Sequence, residues 1–202
     1  MKYFAMVLLS GLLTARAADT PVVLKDAALA AIATKYVPDR QETAPLTQAR
    51  AASIQLIRGG DAAIRDLSGL ENFHGLKFLY LEKSQVKDLT PLAGLTNLES
   101  ISLQGAAIKD LTPLAQLKKL TYLNLSGNQI TDLKPLEGLS ELQDLELSNN
   151  QIVDLRPLAG LTNLERLQLA GNKVTDLAPL EGLKKLVRFD LKQNSVVSKA
   201  GR

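Results

Sequence analysis

A chain of 202 residues with 46% hydrophobic but only 4% aromatic residues, and no tryptophan, must build its core from leucine, isoleucine, valine and alanine. It has no cysteine, which excludes a disulfide framework, a thiolate metal site and a cysteine nucleophile. Of its 24 basic side chains, Lys2 and Arg16 fall at the extreme N-terminus, and the rest set 22 positive charges against 21 negative ones. That balance does not fit the clustered basic face that nucleic-acid binding needs.

Met1-Lys2 makes a short positive start, Tyr3 to Leu13 is apolar and uncharged, and Ala15-Arg16-Ala17 fits the A-x-A cleavage pattern. Residues 1–17 therefore read as a signal peptide, and the exported protein is expected to begin at Ala18. The apolar run is too short for a spanning helix, which needs about 20 residues. No Cys follows it, so no lipid-modified N-terminus is expected, and no later stretch is apolar enough to span a membrane. The expected location is secreted or periplasmic.

Residues 18–51 carry a helical pattern that starts at Asp26 and places Leu29, Ile32, Ala33 and Tyr36 on one face. It ends before Pro38, and a second short helix is expected after Pro45.

From residue 52 to residue 197 the chain repeats itself. Asp66, Asp88, Asp110, Asp132, Asp154 and Asp176 stand 22 residues apart, each followed by Leu. Pro91, Pro113, Pro135, Pro157 and Pro179 keep the same step, again each followed by Leu. The clearest unit, Leu120 to Glu141, reads LTYLNLSGNQITDLKPLEGLSE. Full turns begin at Leu76, Leu98, Leu120, Leu142 and Leu164. A degenerate first turn begins at Ile54, with Ile57, Ile64, Leu67, Leu70 and Phe73 at core positions. A partial last turn begins at Leu186 and keeps Phe189, Leu191, Asn194 and Val196. Such a period signals a solenoid.

The unit resembles the leucine-rich repeats of the SDS22-like class with 22 residues per turn, and most closely those of bacterial internalins. The resemblance implies an α/β fold: a right-handed solenoid with a parallel concave sheet and 3₁₀ or irregular convex segments. It also implies that residues 18–51 are a helical N-terminal cap. Alternation along each strand agrees: Leu123 and Leu125 should point inward, and Tyr122, Asn124 and Ser126 outward. Thr-Pro at Thr90-Pro91 and Thr112-Pro113 predicts a helical start, with Thr as cap and Pro at the first position. Residues 198–202 form a tail, with Ser198 and Lys199 where Asp and Leu would continue the repeat, so no C-terminal cap is visible.

Two regular polar columns are read as structural. The amides of Asn128, Asn150, Asn172 and Asn194 suit the bend after each strand, because they donate to and accept from backbone groups that the bend leaves unpaired. Ser84 and Ala106 interrupt that column in the first full turns. The Asp column offers one carboxylate per coil, not the six to eight converging oxygens that calcium takes. Each Asp is expected to accept N–H bonds from the turn after it. His74 is the only histidine, so neither a His-based triad nor a zinc site is expected. It falls on the convex side with the pairs Lys118-Lys119 and Lys184-Lys185. With no nucleophile–base pair, phosphate loop or metal cluster, the sequence reads as non-catalytic, and no cofactor is expected.

The variable positions are the outward strand residues. Phe78, Tyr80 and Tyr122 gather three of the six aromatics beyond the signal segment onto the sheet, and Ser100 and Ser102 lie on the coil between them. These residues predict a notch with aromatic walls and a polar floor, its walls roughly 9.6 Å apart at the strand spacing. Asn124, Asp144 and Glu146 follow, then Arg166 and Arg188, so a partner should offer basic and then acidic groups in that order. The expected function is an exported binding module whose concave face recognises a protein, or alternatively a glycan. An intracellular SDS22-type scaffold docked on an enzyme such as a phosphatase is the alternative that the signal segment opposes.

Overall fold

The computed structural model describes residues 20–38, 44–59 and 64–196; the expected signal peptide and the tail at 198–202 lie outside the described residues. Seven three-residue strands form one parallel sheet in strict chain order. They are β1 (Leu56–Arg58), β2 (Phe78–Tyr80), β3 (Ser100–Ser102), β4 (Tyr122–Asn124), β5 (Asp144–Glu146), β6 (Arg166–Gln168) and β7 (Arg188–Asp190). Each residue pairs with the one 22 positions on, as in Ile101↔Leu123 and Leu123↔Leu145, so the sequence period is the strand register. The fold is the leucine-rich-repeat solenoid that the period predicts.

Every coil returns on the far side through a single 3₁₀ turn: Leu70–Asn72, Thr90–Leu92, Thr112–Leu114, Lys134–Leu136, Arg156–Leu158 and Ala178–Leu180. The cap at these turns is not the residue predicted. Thr90 and Thr112 are themselves the first residues of their turns, and no side chain caps from the position before them. The acceptor is the aspartate two residues upstream: Asp88 Oδ1 takes the Thr90 N–H and Asp110 Oδ1 the Thr112 N–H, both at 2.8 Å. Asp66, Asp132, Asp154 and Asp176 do the same for Ser68, Lys134, Arg156 and Ala178. The Asp-Leu-x-Pro step is thus an Asx turn that opens a 3₁₀ turn. The hydroxyl of Thr112 adds to its backbone N–H in holding the Asp110 carboxyl below the usual carboxylate range.

The interior is a stack of aliphatic columns. In the coil from Leu120 to Leu139, Leu120, Leu123, Leu125, Ile130, Leu133, Leu136 and Leu139 are all fully buried or within 1% of it. Burying each such side chain contributes about 1.5–3 kcal/mol, and no coil can do so without its neighbours. The first turn, despite its departures, packs as the sequence predicts: Ile57, Ile64, Leu67, Leu70 and Phe73 are buried.

A buried amide ladder fixes adjacent coils to one another. Asn150 Nδ2 donates to Leu147 O of its own coil and Leu125 O of the preceding one, both at 3.0 Å, and its Oδ1 accepts the Ile130 N–H at 3.0 Å. Asn128, Asn172 and Asn194 repeat the pattern. The residue before each lies in the left-handed region, with Gly127 and Gly171 at φ 70° and 69° and Asn149 and Gln193 at 57°, and so do Lys83 and Gly105, at 57° and 73°, before Ser84 and Ala106 at the interrupted positions. Where the column is broken, Ser84 is too short to bridge, and its Oγ is buried without a partner.

The N-terminal segment covers the first coil. Helix α1 (Ala27–Ala33) begins at Asp26, continues as a 3₁₀ turn to Tyr36 and buries Leu29 and Ala33, while α2 (Gln48–Ser53) buries Ala51. Asp26 joins cap to solenoid: Oδ1 accepts the N–H groups of Ala28 and Leu29, and Oδ2 those of Arg65 and Asp66. Burial works to raise its pKa, yet these four donors outweigh it and hold the carboxyl below its ordinary value. The close docking needs two glycines, because a Cβ on Gly69 would run into the Val23 carbonyl oxygen and one on Gly75 into the Ala52 carbonyl oxygen.

Among the described residues β7 is the outer strand at the opposite end, with Val187 75% and Phe189 57% exposed and Leu177, Leu180, Leu186 and Leu191 only partly covered. An open edge of this kind should loosen first. Amide hydrogen exchange is expected to be faster across 186–191 than across 120–136, and uniform protection in a proven monomer would contradict that. For the ladder, Asn150→Ala should cost about 1–3 kcal/mol by stranding buried backbone groups. Ala106→Asn, which restores the missing rung, should gain about 1 kcal/mol. Urea unfolding of both variants checks the pair, and two midpoints equal to wild type would show that the amides do not bridge the coils.

Candidate functional site

The residues free to differ from coil to coil are those on the sheet face, and strict register arranges them in two rows. One row runs Leu56, Phe78, Ser100, Tyr122, Asp144, Arg166, Arg188; the other runs Arg58, Tyr80, Ser102, Asn124, Glu146, Gln168, Asp190. Within a row neighbouring side chains are about 4.8 Å apart at their roots, so each reaches the next.

Around β2, β3 and β4 these side chains enclose an open cavity of about 490 Å³. Five sequence-predicted residues meet there: Phe78, Tyr80, Ser100, Ser102 and Tyr122. The Tyr80 hydroxyl donates to Ser100 Oγ at 3.0 Å, so this ring bends over the coil between the aromatic walls. Ser100 and Ser102 are consequently buried, at 7% and 2% exposure, although both lie on the outer side of the sheet. The same holds for Asn124 and Ser126, joined by a hydrogen bond from Ser126 N–H to Asn124 Oδ1. The serines form a floor, as predicted, but one shielded by longer neighbours.

Arg58, Glu82 and Thr121 also line the cavity and belong to no predicted site. The Arg58 guanidinium stands 5.9 Å from the centre of the Tyr80 ring, within cation–π range. Its signal in the sequence was its place in the same row, one coil before Tyr80.

The remaining predicted residues lie beyond the cavity. Glu146 accepts from the Asn124 amide at 2.9 Å and from the Tyr122 hydroxyl at 3.4 Å. Burial, with the carboxylates of Glu146 and Asp144 close by, pushes the Tyr122 phenol above its ordinary pKa, so it stays a donor. Asp144 and Arg166 pair with each other across β5 and β6 at 3.2 Å. That pairing removes much of the acidic-then-basic pattern the sequence offered to a partner, because opposite charges one strand apart neutralise locally. Arg188, on the outer strand, is exposed.

On the flank a groove of about 620 Å³ runs between the first two Asx turns, lined by Asp66, Asp88, Lys87 and their neighbours. It is larger than the sheet-face cavity, but it follows the Asp column, whose carboxylates are turned onto their own backbone. Among the described residues, no three His, Asp or Glu side chains are grouped to hold a metal ion.

Comparison with known proteins agrees with this architecture. The family described as Leucine Rich repeats (2 copies) matches residues 96–138, 118–160 and 140–182. The crystal structure of internalin C2 from Listeria monocytogenes is 33% identical over 91% of this chain and 92% of that one, with a TM-score of 0.71. The functional domain of InlJ from the same organism, which includes a cysteine ladder, is 22% identical over 84% of this chain and 42% of that one, with a TM-score of 0.67. At that identity the likeness is one of fold, and this chain has no cysteine. No curated protein matches the chain. The identity to internalin C2 over nearly the whole of both chains, with the repeat family matched across the central coils, places the protein in the internalin-like family of bacterial leucine-rich-repeat proteins.

Proposed function

We propose that the protein is an exported, non-catalytic binding module that recognises a partner protein through the sheet face of its solenoid. The observation that carries this reading is the cavity at β2–β4. Three of the few aromatic side chains converge there on a face that is otherwise small and charged. Aromatic side chains around a concave, partly desolvated floor are the usual setting of a binding hot spot. The rigid scaffold behind them means that little conformational entropy is lost on binding. Membership of the internalin-like family agrees with recognition of a protein, whereas a glycan has no specific support.

Export rests on residues 1–17, whose basic start, apolar run and A-x-A ending have the form of a signal peptide. Among the described residues no helix is long and apolar enough to cross a membrane. N-terminal sequencing of secreted or periplasmic material should read Ala18-Asp19; a retained Met1 would refute cleavage.

The sheet-face reading is tested on a partner captured from extracellular or periplasmic extract. Tyr122→Ala should weaken capture by about 2 kcal/mol or more, and Ser100→Trp, which fills the cavity, should abolish it. Lys118→Ala, on the opposite face, should leave it unchanged. Circular dichroism confirms that each variant is folded. Wild-type affinity in both cavity variants would move the binding surface elsewhere.

A further inference from the structure

The reading above leaves open what the cavity takes in, and its charges answer that. Two carboxylates on coils three apart stand at its margin, Glu82 within the lining and Glu146 just beyond it. Glu82, beyond β2, accepts from the Ser102 hydroxyl at 3.4 Å, and Glu146, on β5, is drawn back by Asn124 and Tyr122 at 2.9 and 3.4 Å. Ser102 and Asn124 are register partners, so the two acceptors bend toward one step of the sheet, with the aromatic rings beside it.

Neither carboxylate has a cationic partner among the described residues, whereas others on this side of the molecule do: Glu99 pairs with Lys77 at 3.1 Å, and Asp144 with Arg166 at 3.2 Å. Their hydrogen bonds come from neutral donors, which orient a carboxylate without cancelling its charge. Arg58 lies at the β1 end of the cavity, over Tyr80, and offsets one of the two charges. The step between Glu82 and Glu146 is left negative, and ring faces beside it add the attraction of their quadrupoles for a cation.

We propose that this step receives an arginine side chain of the partner. The inference rests on the sheet-face reading of function. A planar guanidinium stacks on a tyrosine face and donates from its edge, so one group meets a ring and a carboxylate while the second carboxylate adds to the field that draws it in; an anionic group would be repelled. Arg58 shows that a guanidinium already sits against one of these rings.

The probe is the peptide acetyl-Gly-Arg-Gly-amide, compared with its citrulline counterpart, which keeps the shape and loses the charge. NMR titration of the full chain follows the ring signals of Tyr80 and Tyr122 and the side-chain amide of Asn124. The arginine peptide should shift these saturably, with an affinity about tenfold above that of the citrulline peptide. Glu82→Gln with Glu146→Gln should bring it down to the citrulline value, and Lys118→Ala should not change it. Equal titration by the two peptides, or no saturable shift at Tyr122 with the arginine peptide, overturns the inference. Because that comparison uses the unaltered protein, it does not depend on the folding of any variant. Loss of partner capture on Ser100→Trp together with equal peptide titrations would leave the sheet-face reading standing and remove only the arginine. A clear preference for arginine with capture unaffected by Ser100→Trp would do the reverse.

Discussion

The amide of one asparagine in each of the last four coils is the constraint on which most of this solenoid depends. Asn150 binds carbonyls on two successive coils and accepts the N–H of Ile130, so it works only if the two coils are offset by 22 residues. A slip of one residue would strand several buried backbone groups and turn each leucine column to the wrong face. Hydrophobic burial supplies most of the stabilisation but is nearly indifferent to small displacements, whereas a buried hydrogen-bonded amide is not. From β3 to β7 register follows from that intolerance; between β1 and β3, where no asparagine bridges, strand pairing and the apolar columns keep the same offset.

This also accounts for what could be read directly. Leucine columns, the Asn ladder and the Asp column recur because each solves a problem that every coil shares, and repetition makes the solution visible. Most of the fold was therefore legible, down to the burial of Ile57 and Phe73 in the degenerate turn. The misassigned cap shows the limit. Thr-Pro has the composition of a helix start, but in one 3₁₀ turn the N–H groups a capping Thr90 would take go to the carbonyls of Leu89 and Thr90, and the aspartate two residues earlier takes the N–H of Thr90 itself.

The site was legible in position and less so in detail. Periodicity placed Phe78, Tyr80, Ser100, Ser102 and Tyr122 around one cavity, because the root of each side chain is set by the backbone. Where a long side chain ends is set by its neighbours. Tyr80 crosses to Ser100, Glu82 bends back to Ser102, and Asp144 pairs with Arg166, each by a contact of a few tenths to a few kcal/mol that no single-residue pattern encodes. Hence a charge order that looked available to a partner is partly consumed within the sheet, and Arg58, which carries no motif, proves to line the cavity.

The coils that carry the cavity are also those in which the ladder fails. Ser84 and Ala106 interrupt it beside β2 and β3, and the hydroxyl of Ser84 is left buried and unpaired. Those coils keep their place through strand pairing and the leucine columns, while the N-terminal segment fixes the first coil beneath them: Asp26 binds it through Arg65 and Asp66, and Gly69 and Gly75 let the segment come close. At the β7 end the ladder is intact through Asn194, yet the last apolar columns are half open. Among the described residues, order at the first end comes with an added segment, and at the β7 end it comes from the repeat itself. The cavity near the capped end therefore stands on coils in which the ladder is broken and the leucine columns alone stay closed, so the sheet-face residues of β2 and β3 differ from coil to coil without opening the core behind them.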